Sequence, residues 1–313
     1  MATRIYIQKY FMLFAVILVF IILTFLKQDM FFSVYNLTSI FRELSFIGII
    51  SCGVCMLMIM GQFDLSVGAI LTFSTVLTAT FITKYNLALA ITIPLLFGLA
   101  IGFINGFLVG NLKANSFLIT LGTTYLLQGA VMLFTNGTAI TNLPRDFVKI
   151  GRGEILWIPI PVIIFIIVAI ICWLVLTQTS LGLKHFAIGG SEKAAISAGI
   201  NVTNVKIFGF MATGFLSSLA GILYTSRMAV ASPLFGYNME LDAIAAVVLG
   251  GTYLFGGSGS ISGTVLGVLL FAVVINGLNL LQVQPAAVYI VKGTIVAIAV
   301  ALNVWVQSGK SRN

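Results

Sequence analysis

Apolar runs of about twenty residues follow one another through this chain with only short polar joints between them. The run at 157–176, WIPIPVIIFIIVAIICWLVL, contains no charged residue. A helix of about 20 apolar residues crosses the roughly 30 Å hydrocarbon core of a bilayer. Inside lipid every backbone N–H and C=O must be paired, which leaves helices and closed barrels. These runs are about twice the length of a barrel strand. Charged residues make up 8% of the chain and hydrophobic ones 60%, whereas a soluble domain carries about 25% charged residues. The chain therefore reads as an all-α polytopic membrane protein, with 1–313 forming a single transmembrane domain.

Ten spans are predicted, at 9–26, 44–60, 65–82, 87–109, 115–134, 157–176, 204–224, 242–256, 262–281 and 287–306. Gly and polar residues interrupt the chain near 60–70 and 242–257. The first span follows Arg4 and Lys9 as a secretory leader would, but Lys27, Gln28 and Asp29 stand where small residues would mark a cleavage site. It is read as an uncleaved span. With a cytoplasmic N-terminus, ten spans return the C-terminus to the same side. Arg4, Lys9, Lys113, Lys184, Lys193, Lys206, Lys310 and Arg312 then lie inside, and Lys27, Arg42, Lys84, Arg145, Lys149, Arg152 and Arg227 outside. The basic tails favour this orientation and the charged 135–156 loop opposes it. The net charge of +8 anchors helix ends and does not call for a nucleic-acid partner.

An internal echo runs through the spans. Ile-Asn-Gly occurs at 104–106 and 275–277, and Gly-Thr follows each at the same distance, at 122–123 and 293–294. Each set sits in a three-span unit that opens near an Asp, at FDLSVGAI (63–70) and LDAIAAVV (241–248). The units begin at spans three and eight. That odd offset inverts one against the other, as in carriers that alternate access around a midplane pathway. The repeat is partial, because the Asp-to-Asn separations differ.

Polar groups inside spans cost energy and mark function or cross-helix bonds. Asp64 and Ser66 flank a break between Gly61 and Gly68. They read either as a pathway or gate lining, or as the capped start of the next helix, with Ser66 as cap and Asp64 at its positive end. Asn105 and Asn276 lie deep in apolar sequence, where an amide either contacts a passing solute or bonds a neighbouring helix. Lys292 either snorkels or pairs with an acid such as Asp242. Cys52, Cys55 and Cys172 read as small packing residues.

Catalytic chemistry is nearly absent. His185 is the only histidine, and one His forms neither a metal site nor a nucleophile triad. The glycine-rich run LGGTYLFGGSGSISG (249–263) lacks the Lys of a phosphate loop and follows a span rather than a strand. It reads as a tight re-entrant turn. Gly-Lys-Ser at 309–311 has Val304 where a phosphate loop needs Gly. No cofactor is expected.

The longest well-formed polar connection is Thr177–Thr203. Within it Ser191 can cap a helix over EKAAISA, Glu192 suits the first turn, and Gly199 stops it. A short helix lying along the membrane there serves either as a knob for a cytoplasmic partner or as a plain connector.

Six segments together carry a family resemblance. They are GQFDLSVGAI (61–70), INGFLVGNLKANSFLITLGT (104–123), TSLGLKHFAIGGSEKAAISAGINVTNVKI (179–207), LAGILYTSR (219–227), ELDAIAAVVLGGTYLFGGSGSISGT (240–264) and INGLNLL (275–281). In order and over nearly the whole chain, they resemble the permease subunits of ribose-type ABC sugar importers. The resemblance implies a ten-span permease of the bacterial cytoplasmic (inner) membrane that transports sugar by alternating access. Its partners would be a second permease copy, in a homodimer or heterodimer, ABC ATPase subunits, and a periplasmic or lipid-anchored sugar-binding protein. It makes 177–203 the cytoplasmic coupling segment, with Ile188, Gly189, Gly190, Ser191, Glu192, Lys193, Ala194 and Ala195 meeting the ATPase. Lys193 stands where the family more often has Ala or Glu, and Gln62 and Phe63 replace Gly and Ile of the family pattern. Related permeases carry nucleosides or branched-chain amino acids. An ion-coupled secondary carrier is the alternative from another class and predicts paired acids in mid-span.

Overall fold

The computed structural model describes residues 17–25 and 30–308. Half of the first predicted span, both basic tails and the 309–311 tripeptide lie outside the described residues. Helix α1 covers 17–25. It is followed by α2 (Val34–Ile59), α3 (Val67–Lys84), α4 (Leu87–Gly110), α5 (Ser116–Thr135) and α6 (Arg145–Arg152). A two-stranded hairpin, β1 (Glu154–Ile155) and β2 (Ile158–Pro159), leads into α7 (Ile160–Gln178), α8 (Ser180–Gly190) and α9 (Glu192–Ser197). The chain closes with α10 (Val202–Met228), α11 (Met239–Leu249), α12 (Ile261–Leu280) and α13 (Pro285–Ser308). Among the described residues seven helices, α2, α3, α4, α5, α7, α10 and α12, are long and apolar enough to cross a membrane. The protein is an all-α multi-pass membrane protein.

Two predicted spans are corrected. The span at 242–256 shrinks to α11, 11 residues ending at Leu249 with Gly250 as cap. At 1.5 Å per residue this is about 16 Å, half a bilayer. The glycine-rich run that follows turns instead of continuing. The span placed at 44–60 starts ten residues earlier, at Val34. Arg42 does not end it, because its guanidinium bonds Glu154 Oε1 at 2.8 Å and the Arg152 carbonyl at 2.9 Å.

Helix α2 is the centre of the bundle. Every residue from Leu44 to Ile59 is buried, as expected of a helix that is apolar all round. It packs against α7, α10, α11 and α12. The tightest pairing is between α4 and α10. Gly98, Gly102, Gly106 and Gly110 recur every four residues on one face of α4, and a Cβ at Gly102 would stand 2.3 Å from the Phe210 carbonyl oxygen. Membrane helices have no hydrophobic gain from meeting each other, so close backbone approach through small residues supplies the attraction. The outward faces remain apolar, with Ile166, Ile170, Leu126 and Leu133 exposed. A bilayer covers such surface.

The bundle has two distinct ends. At one, the Gly151 N–H donates to Ser226 Oγ at 2.7 Å and Arg152 Nε to the Arg227 carbonyl at 2.9 Å. This end also holds α6 and the hairpin. At the other, Lys206 near the start of α10 bonds Glu192 of α9. The 21 positions from Lys206 to Arg227 correspond to about 32 Å of helix. The two ends therefore lie a membrane's thickness apart.

Candidate functional site

The α8–α9 elbow forms because the chain must turn back at once after α7. Thr179 caps α8 by accepting from the Gly182 N–H at 3.4 Å. A Cβ at Gly182 would stand 2.1 Å from the Leu176 carbonyl oxygen, so only glycine allows this fold-back. His185 lies on the inner face of α8, with Nδ1 donating to the Leu181 carbonyl at 2.8 Å. That bond fixes the tautomer, since a carbonyl only accepts. Its Nε2 is buried and has no partner among the described residues. Burial holds the imidazole below its ordinary value of 6.5, and the Leu181 bond opposes that shift only in part. The ring is neutral at pH 7.

Ser191, in extended backbone, ends α8 and caps α9. Its Oγ accepts from the Ala194 N–H at 3.3 Å. Gly199, at φ +78°, closes α9, with its N–H on the Ile196 carbonyl and the Ile200 N–H on that of Ala195 at 3.0 Å. The cap, the acidic first turn and the stop glycine match the reading of this run. One stripe is anchored: Ile188 and Ala195 are buried with Leu57, Met60, Val109, Val205 and Phe210. The opposite face, Lys193, Ala194, Ile196 and Ser197, is exposed, and Gly190 has open space around it. Glu192 Oε2 accepts from Lys206 Nζ at 2.8 Å. What the sequence treated as one polar connection is thus two helices with a fixed inner face and a bare outer face.

The second cluster lies inside the bundle. Asp64 Oδ1 accepts from both the Ser66 N–H, at 2.8 Å, and the Ser66 hydroxyl, at 2.5 Å. Asn105 Nδ2 donates to Ser66 Oγ at 3.0 Å, and Asn105 Oδ1 accepts from Thr123 Oγ1 at 2.7 Å. Asp64, Ser66 and Asn105 are all buried, and Asp64 Oδ2 has no partner among the described residues. Ser66 does sit at the start of α3, but its hydroxyl does not cap the helix. Asp64 takes the free N–H there instead, where a carboxylate faces the positive helix end.

Helix α5 supports this break. Ser116 Oγ accepts from the Phe63 N–H at 3.2 Å, Thr120 Oγ1 from the Leu65 N–H at 3.0 Å, and Thr124 Oγ1 donates to the Leu65 carbonyl at 2.9 Å. These three residues were missed in the sequence. Their spacing of four, one face of an otherwise apolar helix, is the signal that could have found them.

Asn276 stands apart from this cluster. It exchanges bonds with Asn36, Nδ2 to Oδ1 at 2.8 and 3.2 Å, and Asn36 also reaches the Phe31 carbonyl. Lys292 pairs with Asp242 at 2.6 Å, which settles the choice between snorkelling and pairing. The two Asp–Asn units of the internal echo therefore carry different partners.

Over residues 36–300 the sequence matches the family described as branched-chain amino acid transport system / permease component. The ribose import permease protein of Haemophilus influenzae is 38% identical over 301 residues, 95% of this chain and 93% of that protein. The ribose import permease protein of Bacillus subtilis is 40% identical over 288 residues, 91% of this chain and 89% of that protein. The D-allose transport system permease protein of Escherichia coli is 36% identical over 298 residues, 95% of this chain and 91% of that protein. No solved structure matches.

Proposed function

The chain belongs to the family of branched-chain amino acid transport system / permease components, and on that premise we propose that it is the membrane-spanning subunit of an ATP-binding-cassette importer for a monosaccharide, ribose or a related sugar, in a bacterial inner membrane. One observation carries this reading: 38% identity to a ribose import permease that runs through 95% of this chain. The family's printed description names branched-chain amino acids. The relatives named for ribose and D-allose, alike over nearly their full length, favour a sugar.

The α9 knob fits docking of an ATPase subunit. Its inner stripe is locked to α2, α4 and α10 while its outer face is bare, so a push on that face is carried into the bundle. Hydrolysis then belongs to the partner, and this chain has no ATPase site of its own. Asp64, Ser66 and Asn105 line a gate beside the break that opens α3. Sugar hydroxyls would be handed over by a separate binding protein, and a second permease copy would complete the passage.

Uptake of labelled ribose, allose and arabinose in cells with and without the gene tests this. Loss of one sugar's uptake, with the remaining uptake in wild-type cells unaffected by proton uncouplers, is expected. Unchanged uptake of all three would remove the sugar reading.

A further inference from the structure

Three stretches of chain far apart in sequence meet backbone to backbone beside α9. The first is the end of α2, where Gly61 has φ +71°. The second is the end of α8 at Gly189. The third is the turn between α11 and α12, where Gly256 and Gly257 have φ of +86° and +80°. The Gly257 N–H donates to the Ile59 carbonyl at 2.9 Å. A Cβ on Gly189 would stand 1.8 Å from the Ile59 carbonyl oxygen and 2.4 Å from the Gly257 nitrogen, and one on Gly256 would stand 2.7 Å from the Gly61 nitrogen. No side chain intervenes at these contacts. A rotamer change therefore cannot absorb a displacement there, and packed backbone transmits it.

The connections on either side give this contact a consequence. Gly189 lies two residues before Ser191, the cap of α9. Gly61 lies three residues before Asp64, so the end of α2 leads directly into the Asp64–Ser66–Asn105 chain. The 250–260 turn leads back into α11, the half-length helix whose Asp242 holds Lys292 of α13. Both interruptions in the helical bundle thus touch the same glycine at the base of the knob.

We propose that Gly189, Gly256 and Gly257 form a backbone relay that carries movement of α9 into the two helix breaks, making them positioning residues for transport rather than parts of the docking face. This rests on the importer reading above.

The test uses the reconstituted transporter with its ATPase subunit and sugar-binding protein, reading sugar moved per ATP hydrolysed. Gly189→Ala and Gly256→Ala are expected to keep the ATPase subunit on co-purification and to lower that ratio roughly ten-fold or more, a size usual for coupling between two sites. Gly257→Asn is expected to lose less, since Asn tolerates positive φ and the nearest atom to a Cβ there is 3.3 Å away. Gly129→Ala on α5, with open space around it, is the control and keeps the wild-type ratio. A wild-type ratio in Gly189→Ala overturns the relay.

Should Gly189→Ala fail to fold, spin labels decide. They would be placed at exposed Leu183 on α8, exposed Phe255 in the turn and exposed Leu126 on α5, the native cysteines being buried. With ATP added, the Leu183–Phe255 distance is expected to stay fixed while Phe255–Leu126 changes. A Leu183–Phe255 distance that changes on its own overturns the relay. Absence of ATP-driven sugar transport in the wild type would instead overturn the importer reading.

Discussion

Lys206 Nζ lies 2.8 Å from Glu192 Oε2 and ties the second turn of α10 to the first turn of α9. The lysine side chain is 8% exposed and the glutamate 43%, so the pair is anchored from the bundle side. Its ammonium gives a long transmembrane helix a handle on a six-residue helix that could not hold its place alone.

Glu192→Lys should therefore uncouple the transporter. It places a second cation against a nearly buried ammonium and should lower stability by about 1–3 kcal/mol. Sugar uptake is expected to fall while the ATPase subunit's basal hydrolysis continues. Glu192→Gln, which keeps a hydrogen-bond acceptor, should retain most uptake. Parallel measurement of hydrolysis and uptake checks this; equal uptake in both variants would contradict it.

Ser66 joins Asp64 to Asn105, so without its hydroxyl Asn105 Nδ2 loses its acceptor and Asp64 Oδ1 keeps only the backbone N–H. Ser66→Ala and Asn105→Leu should each lower unfolding free energy by about 1–3 kcal/mol. Because the two share one hydrogen bond, the double variant should lose less than the sum. Denaturant titration in detergent measures all three. Strict additivity would mean that the chain of bonds does not act as a unit.

Asn36 and Asn276 cross-link α2 to α12 near the α6 end, away from the Asp64 cluster. Asn276→Ala should cost about 1 kcal/mol of stability and leave the preference among sugars unchanged. A competition assay with ribose and allose checks the second half, and a changed preference would place Asn276 on the sugar's path.

His185 sets a pH dependence with a definite sign. Burial lowers its folded value below the ordinary 6.5, so the unfolded chain takes up the proton first. Stability is complete above about pH 6.5 and falls as the pH drops below it. In His185→Asn, whose amide nitrogen replaces Nδ1 and stays neutral, the slope below pH 6.5 should flatten. Melting temperatures between pH 5 and 8 report it, and identical slopes in both proteins would rule this group out.

Much of the bundle was legible because lipid permits so few arrangements. Runs such as 87–109 and 262–281 match α4 and α12 to within a residue, since an uncharged apolar stretch of that length has one stable state in a bilayer. The reading failed where tertiary partners override local signals. Arg42 lies outside the predicted 44–60 span, yet a carboxylate and a carbonyl more than a hundred residues away accommodate it within α2. The apolar run Ala243–Val248 predicts a span that continues to 256, yet Gly250 and the turn beyond it stop α11. In the site, α9 was legible from its cap, its acidic first turn and its stop glycine, all local signals. The chain of bonds from Asp64 was half visible: Ser66 is two residues away, but Thr123, the partner of Asn105, is recognisable only once α5 is packed beside α4. Asn36 as the partner of Asn276 could not be read at all, because nothing local links residues 240 positions apart.

The most direct test is reconstitution of this chain in proteoliposomes with its ATPase subunit and binding protein, followed by ribose influx with ATP supplied on the α9 side. The account predicts influx that requires hydrolysable ATP and persists when an ionophore collapses every ion gradient. Influx that stops with the ionophore and proceeds without ATP would contradict it and make the chain an ion-coupled carrier.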